Sequence, residues 1–240
     1  MNFKIEVMRF ACKYLTKYIS PYTYNKLLKI QGVDVGEHTR FFGMNSITID
    51  TQRPWMLKIG DYCKITQGCI ILCHDYSRSV IRRKYGEIIG EAKRTIIGDN
   101  VFIGMNSIIL MGTKIGNNVI VGAGSVVSGN IPDNVVIAGN PAKILRSLDE
   151  HREYRKSKCV SEAKEYFCTF RRKYNKIPTI SEMGAFFTLF TPHKRENIDK
   201  FHIFIRMSGD DETSIIDDWL NGKEPLFSSY EEFIDFCMKE

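Results

Sequence analysis

The chain has 240 residues, of which 43% are hydrophobic and 12% aromatic, so it is expected to fold around a core and is not intrinsically disordered. Its net charge of +6 is spread along the sequence, which argues against nucleic acid as a partner and leaves small anionic ligands as candidates. Seven cysteines without a C-x-x-C pair predict a reducing, cytoplasmic setting.

Residues 1–34 predict a helical segment. Met8, Ala11, Leu15 and Ile19 form one apolar face ahead of Pro21. Lysine and arginine residues interrupt this stretch, so we expect neither a signal peptide nor a membrane-spanning helix. The face is interpreted as packing on the next structural unit; the alternative is a helix lying on a membrane surface.

An internal repeat organises the middle of the chain. Aliphatic residues recur every six positions without a break, at Ile97, Ile103, Ile109, Ile115, Val121 and Val127. Glycine often follows the aliphatic residue, and a small or β-branched residue stands four places after it. A period of six fits neither a helix nor a single flat strand, so a turn is needed every six residues. The pattern predicts short strands stacked into a triangular coil with the aliphatic side chains inside.

The same register extends upstream more weakly. It runs through Val35, Phe41, Ile47, Arg53, Ile59, Ile65 and Ile71, with Arg53 as its one polar member. Between Ile71 and Ile97 the period breaks, which predicts a charged loop extruded from the coil at about 76–96. The coil is therefore expected to cover residues 35–146.

After Pro141 the sequence becomes rich in charged and aromatic residues, which predicts a helical extension over 147–240. Several short helices are expected from about Leu148 onward. Ser228 and Glu231 have capping-box spacing and predict the start of the last helix.

The stretch "IGDNVFIGMNSIILMGTKIGNNVIVGAGSVVSGNIPDNVVIAGNPAKILR" resembles the hexapeptide-repeat acyltransferases, above all in "GAGSVV" and "IPDNVVIAGNPAK". The upstream segment "RPWMLKIGDYCKITQGCIILCHDYSRSV" resembles the branch of that family that acetylates sugars in surface polysaccharide assembly. The resemblance covers about residues 35–146. It implies a mainly β fold, the left-handed parallel β-helix, a homotrimer with active sites in clefts between neighbouring chains, and acetyl-coenzyme A as the acyl donor.

His74 stands just before the predicted loop, where the resemblance places the catalytic residue. A neutral hydroxyl is a poor nucleophile, and imidazole is a suitable general base near neutral pH. The alternative is a polar residue that only ends a strand. A backbone carbonyl or an acid such as Glu87 could orient the ring, since Asp75 is its neighbour in sequence and side chains alternate along a strand.

The resemblance also assigns residues to the acyl donor. Those expected to contact coenzyme A are Phe102, Gly104, Met105, Ala123, Ser128, Lys143 and Arg146. Lys143 and Arg146 match positions that meet phosphates, where charge-assisted hydrogen bonds are strong. Alternatively, the glycines and Ala123 are there because the coil needs small residues, and the two cations are simply solvated.

Asn45, Asp50 and Asp75 are the candidates for binding acceptor hydroxyls, although Asn45 fits a coil corner equally well. No metal is expected, because a zinc site would need three facing histidines and only His38 and His74 lie in the coil.

The sequence thus predicts an O-acetyltransferase acting on a sugar of a surface polysaccharide, lipopolysaccharide or precursor. One alternative is an N-acetyltransferase of an amino sugar or a xenobiotic. Another is a non-catalytic trimeric scaffold. The extension could in addition bring the enzyme to a membrane or to a glycan-assembly complex.

Overall fold

The computed structural model describes residues 21–197, 210 and 212–239. The chain divides into two compact units, Met1–His151 and Arg152–Glu240.

The first unit consists mainly of very short parallel strands. They are β1 (Asp34–Val35), β2 (Arg40–Phe41), β3 (Thr48–Ile49), β4 (Leu57–Ile59), β5 (Lys64–Ile65), β6 (Ile70–Ile71), β7 (Thr95–Ile97), β8 (Phe102–Ile103), β9 (Ile108–Ile109), β10 (Lys114–Ile115), β11 (Ile120–Val121), β12 (Val126–Val127), β13 (Asn130–Ile131), β14 (Val135–Gly139) and β15 (Ala142–Ser147).

The strands stack into three sheets, which are the three faces of a coil. Face A has the order β1-β4-β7-β10-β13, face B has β2-β5-β8-β11-β14 followed by β15, and face C has β3-β6-β9-β12. All pairs are parallel except β14 with β15. The chain visits faces A, B and C in turn, and the predicted parallel β-helix is confirmed.

Register explains the six-residue period. On face B, Phe41, Ile65, Ile103, Val121 and Ile137 pair in sequence, and all five are fully buried. Each of these apolar side chains therefore stacks on the equivalent residue of the coil before it, and burial of this column and of its counterparts on faces A and C stabilises the coil.

The upstream register is wrong at two positions. A 3-10 turn, Met44–Ser46, adds two residues to the corner between β2 and β3. As a result Ile49, rather than Ile47, pairs with Ile71 on face C. Arg53 lies outside the ladder, ahead of a second 3-10 turn at Pro54–Met56. The correct register resumes at Ile59.

Small residues at the corners bring successive coils into close contact. The buried hydroxyls of Ser107 and Thr113 donate to carbonyls of the next coil, on Gly122 and Val127, each at 3.1 Å. A Cβ on Gly98 would lie 2.6 Å from the carbonyl oxygen of Gly116, too close for any larger residue.

Helix α1 (Pro21–Gln31) packs on the first coil. Leu28 is buried, and the Tyr24 ring meets Phe41 edge-on at 5.1 Å. The Asn25 amide donates to the carbonyl of Gly36 at 2.7 Å, which ties the helix to the corner after β1. The apolar face predicted between Met8 and Ile19 lies outside the described residues.

The insertion between β6 and β7 is not entirely irregular. It contains helix α2 (Arg78–Tyr85), which ends at Gly86 in the left-handed conformation. Residues 81–90 are exposed throughout. His74 lies three residues after the end of β6, just before this insertion, and the chain returns to the coil at Thr95.

The second unit is helical. Helix α3 (Leu148–Tyr174) runs into it from the coil and is followed by a 3-10 segment (Ser181–Leu189), α4 (Glu212–Leu220) and α5 (Tyr230–Met238). Short helices were expected from about Leu148 onward; the first helix is longer than expected, and short helices follow it. Phe167, Phe187, Phe190 and Phe233 are buried together as an aromatic core.

The cap of α5 differs by one residue from the prediction. Ser229, not Ser228, is the N-cap, and its side chain accepts from the N–H of Glu232. The Glu232 carboxylate in turn accepts from the backbone and hydroxyl of Ser228, both at 2.7 Å. Among the helices described, none is long and apolar enough to cross a membrane.

Candidate functional site

A cavity of about 450 Å³ opens at the corner between faces C and A, where β3 and β6 end. Its walls come from the two coils that meet there. The lining residues are Thr48, Ile49, Asp50, Thr51, Gln52, Leu72, His74, Asp75 and Tyr76.

His74 and Asp50 form a buried pair in this cavity. His74 is 7% exposed, and its Nδ1 is hydrogen-bonded to Oδ2 of Asp50. Since a carboxylate only accepts, Nδ1 carries the proton and Nε2 keeps a lone pair. No group in the described part of the chain bonds to Nε2. The pair therefore presents a basic nitrogen that can accept a proton.

The backbone holds both residues of the pair in place. Asp50 donates its N–H to the Ile71 carbonyl at 3.0 Å, as the next step of the face C ladder. Its carboxylate also accepts from the N–H groups of Gln52 and Cys73, at 3.1 and 3.0 Å. The Asp50 carboxylate thus accepts three hydrogen bonds from the chain itself, and one of them fixes the residue that precedes His74.

Tyr76 and Gln52 form a polar edge beside the imidazole. The Tyr76 ring is 62% exposed and meets the His74 ring edge-on, with centroids 5.3 Å apart. The Gln52 amide donates to the Tyr76 hydroxyl at 3.3 Å, linking the end of β3 to the start of the insertion. The guanidinium of Arg78 lies 5.8 Å from the centre of the Tyr76 ring.

Asp75 lines the same cavity but has a different partner. Its carboxylate accepts from the hydroxyl and the N–H of Ser77, at 2.6 and 2.8 Å, and these bonds lower its pKa. Burial raises the pKa of the Cys73 thiol, so this thiol remains protonated at neutral pH and is a poor nucleophile. Proton transfer through His74 is the chemistry that the cavity favours.

Two residues predicted to meet the acyl donor lie at a different corner. Met105 precedes β9 and Ala123 precedes β12, which places both where face B turns into face C. They belong to adjacent coils in tight contact: the N–H of Gly124 donates to the Met105 carbonyl at 2.8 Å, and a Cβ on Gly104 would lie 2.5 Å from the nitrogen of Ala123. Ala123 and Gly124 are small and exposed, so few side-chain atoms cover the backbone at this corner. We call this corner the strip; the Met105 side chain beside it is 48% exposed.

The other predicted donor residues flank that strip or stand apart from it. Lys143 pairs with Ala138 and Arg146 with Val136 along β15, at the end of face B. Phe102 is 42% exposed on β8 of the same face. Ser128 follows β12 at the corner between faces C and A. This is the corner that also carries His74, but two coils further along the axis.

Two acceptor assignments change. Asn45 is exposed in the 3-10 turn before β3, whereas the cavity lies beyond the end of that strand, so Asn45 does not line it. Asp50 lines the cavity, but its carboxylate is engaged by His74 and the backbone rather than free for a hydroxyl. Asp50 is the orienting partner that the sequence did not identify, and Tyr76 and Gln52 were not predicted either.

The comparisons with known proteins agree with this architecture. The family described as "Hexapeptide repeat of succinyl-transferase" matches residues 94–128. Protein CapG of Staphylococcus aureus is 44% identical over 149 residues, a match that covers 59% of this chain and 85% of CapG. The chain belongs to the hexapeptide-repeat acyltransferases. It is an enzyme of that family, and its fold is the left-handed parallel β-helix.

Two further matches differ in how much of each chain they cover. The 2,3,4,5-tetrahydropyridine-2,6-dicarboxylate N-acetyltransferase of Clostridium perfringens strain SM101 is 56% identical over 55 residues, which is 23% of each chain. The chain therefore spans less than a quarter of that hexapeptide-repeat relative. The structure of a maltose O-acetyltransferase from Clostridium difficile 630 is 25% identical with a TM-score of 0.45, and the match covers 61% of this chain and 89% of that one.

Proposed function

We propose that the chain is an acetyl-coenzyme A-dependent O-acetyltransferase that acts on a sugar hydroxyl, with His74 as its general base. The observation that carries the proposal is the buried pair of His74 and Asp50 at the wall of an open cavity, with Nε2 left to accept a proton. The resemblance of the surrounding sequence to sugar-acetylating enzymes supports the choice of acceptor.

The proposed proton path is short. As the acceptor oxygen attacks the thioester carbonyl, its proton moves to Nε2 of His74, and Asp50 stabilises the imidazolium through Nδ1. The carbon–sulfur bond then breaks, and the proton passes from Nε2 to the departing thiolate. The products are an acetyl ester and free coenzyme A, so neither a covalent enzyme intermediate nor a metal is required.

The acyl donor is proposed to lie along the strip at Gly104, Met105 and Ala123. No atom lies within 4 Å of the place where a Cβ on Gly124 would stand, which leaves room for the pantetheine arm beside Ala123, and Lys143 and Arg146 supply cations for the phosphates. Acetyl-coenzyme A contributes an activated acetyl group, and the residues of this chain bind and orient it.

A complete site is proposed to require a second copy of the chain. His74 follows the C-terminal end of a face C strand, whereas Met105 and Ala123 precede the N-terminal ends of face C strands. The two sets of residues therefore lie at opposite ends of the strands of one sheet. In a homotrimer, the His74 edge of one chain can meet the strip of its neighbour. The proposal therefore places each active site between two chains.

The cavity suits a pyranose acceptor. The exposed Tyr76 ring offers an aromatic surface, and Gln52 and Thr48 offer polar groups for hydroxyls. The Clostridium perfringens relative is named as an N-acetyltransferase, which favours an amino acceptor as the second candidate. The same base would serve that reaction, so the product decides between them.

The test is an acceptor screen with acetyl-coenzyme A labelled in the acetyl group. The panel contains neutral sugars, amino sugars and glycan oligosaccharides, and mass spectrometry locates the acetyl group. An ester cleaved by mild hydroxylamine is expected on a sugar hydroxyl. An amide on an amino group would support the second candidate, and failure to consume acetyl-coenzyme A with any acceptor would favour a non-catalytic scaffold.

A further inference from the structure

The C-terminal unit has a cavity of its own. It measures about 710 Å³, well within the range of small-molecule sites, and is lined by Lys164, Cys168, Arg171, Arg172, Asn175, Cys237, Met238 and Lys239. Lys164, Cys168 and Arg171 recur at three- and four-residue spacing on one face of α3, and Asn175 follows the end of that helix. The other wall is the last turn of α5.

Four basic residues line this cavity. They are Lys164, Arg171, Arg172 and Lys239. Among the residues described, no aspartate or glutamate lines the cavity, and none of the four cations has a carboxylate within salt-bridge distance. By contrast, Arg155 on the same helix pairs with Glu162 at 2.7 Å. Lys164, Arg171 and Arg172 therefore have no ion-pair partner in this part of the chain, whereas Lys239 interacts electrostatically with the Glu232 carboxylate.

Helix ends explain only part of this arrangement. Arg171 and Arg172 lie in the last turn of α3, and Lys239 follows α5, where cations complement exposed carbonyls. Lys164 is almost three turns away from the end of α3. Its ammonium group is held at the cavity by a hydrogen bond to the Lys239 carbonyl at 2.7 Å.

The floor of the cavity is apolar and neutral. It is formed by Cys168, Cys237 and Met238. Burial, with a smaller effect of Cys168, raises the pKa of the Cys237 thiol to about 11, so this thiol carries no charge that would offset the cations.

We propose that this cavity is a binding site for a soluble diphosphate ester. Two guanidinium groups from consecutive residues can each bind phosphate oxygens with two parallel hydrogen bonds, and the Lys164 ammonium adds a point charge. Three positive charges match a diphosphate better than a single phosphate. A concave site with an apolar floor fits the organic part of such an ester, whereas a flat bilayer surface would not enter it.

Isothermal titration calorimetry of the full chain with inorganic pyrophosphate tests the proposal. Wild type should bind, and Arg171→Ala/Arg172→Ala should bind at least tenfold more weakly. Lys173→Ala is the control, because it removes one positive charge from the same turn at a residue that lines a different cavity. It should change the affinity by less than twofold.

A second readout needs no substitution. Cys168 lines the cavity, whereas Cys159 lies on the same helix outside it. Pyrophosphate should slow alkylation of Cys168 at least fivefold and leave Cys159 unchanged. Equal rates with and without pyrophosphate would overturn the proposal.

Two further experiments test whether the anion binds at the acyl-donor site instead, and whether the cations bind a membrane surface instead. If Lys143→Ala/Arg146→Ala abolishes pyrophosphate binding, the anion occupies the proposed acyl-donor site and the proposal is wrong. If the double arginine variant loses binding to phosphatidylglycerol vesicles while wild type does not bind pyrophosphate, the cations serve a membrane surface and the proposal is likewise wrong.

Discussion

Replacing Asp50 by asparagine isolates the contribution of the buried acid to transfer. The Asp50 carboxylate accepts from His74 Nδ1 and from two backbone N–H groups. An amide keeps the shape but has one oxygen, so at least one of these donors loses its acceptor. A hydrogen bond to a charged group is worth about 1.5–3 kcal/mol, which corresponds to roughly a 10- to 150-fold loss in rate.

Asp50→Asn should therefore lower kcat by about 10- to 100-fold and leave KM for acetyl-coenzyme A within about twofold. The assay follows thiol release at saturating acceptor. Asp75→Asn is the control, because Asp75 lines the same cavity but bonds to Ser77 instead. Its kcat should stay within about threefold of wild type.

A double substitution tests whether Asp50 acts through His74. If it does, His74→Ala/Asp50→Asn should be no slower than His74→Ala alone. The reasoning is refuted if folded Asp50→Asn keeps kcat within twofold of wild type, or if the two losses multiply.

Three further predictions concern stability and ionisation. Gly98→Ala should destabilise the coil by about 1–3 kcal/mol and lower Tm by several degrees, because its Cβ would lie 2.6 Å from the Gly116 carbonyl, whereas Gly90→Ala, with no atom within 4 Å, should leave Tm nearly unchanged. Equal Tm values for the two variants would contradict the stacking. Hydrogen bonds from Lys176 and Thr179 lower the pKa of Glu182 from 4.5 to about 2, so the stabilisation from its ionised form is present above about pH 4.5 and lost as the pH falls toward 2. An NMR titration of Glu182 should show a midpoint near 2, and a midpoint near 4.5 would disprove these contacts. Burial raises the pKa of Cys63 to about 11, so at pH 8 only about one thousandth of this thiol is ionised and alkylation should be very slow until urea unfolds the chain. Rapid alkylation of the folded protein would contradict its burial.

Much of the coil could be predicted because its core repeats. From Ile97 to Val127 each six-residue unit has one inward aliphatic, and the structure pairs these residues coil by coil. The first coil departs from the period because the 3-10 turn at Met44–Ser46 adds two residues to a corner. The connection from Ile49 to Ile59 is longer than the repeat by four more residues, so the additions sum to one period and the pattern returns at Ile59. For that reason the register was assigned to Ile47 instead of Ile49.

That shift also hid the partner of His74. With the register through Ile47, Asp50 lies one coil before His74, and it was assigned to acceptor hydroxyls rather than to the imidazole. In the structure Asp50 follows Ile49 and its N–H bonds to Ile71, which brings the carboxylate beneath both Cys73 and His74. Asp50 and His74 are 24 residues apart in sequence, and they meet because the first coil, with its added residues, has about that length. The sequence offered no local signal for the pair.

The C-terminal unit could be predicted as helical but not in its detail. The aromatic and charged composition indicates helices, while the convergence of Lys164 and Lys239 on one cavity depends on how α3 and α5 pack. The capping residues of α5 were missed by one position because Ser228 and Ser229 have equivalent spacing to Glu231 and Glu232.

The turnover of His74→Ala tests the central claim most directly. With the acetylated acceptor identified, kcat of this variant should fall at least about 100-fold, the lower range for general-base catalysis, while its affinity for acetyl-coenzyme A and its thermal unfolding stay close to those of wild type. A folded His74→Ala variant that transfers acetyl groups at a near-normal rate would contradict the assignment of His74 as the base.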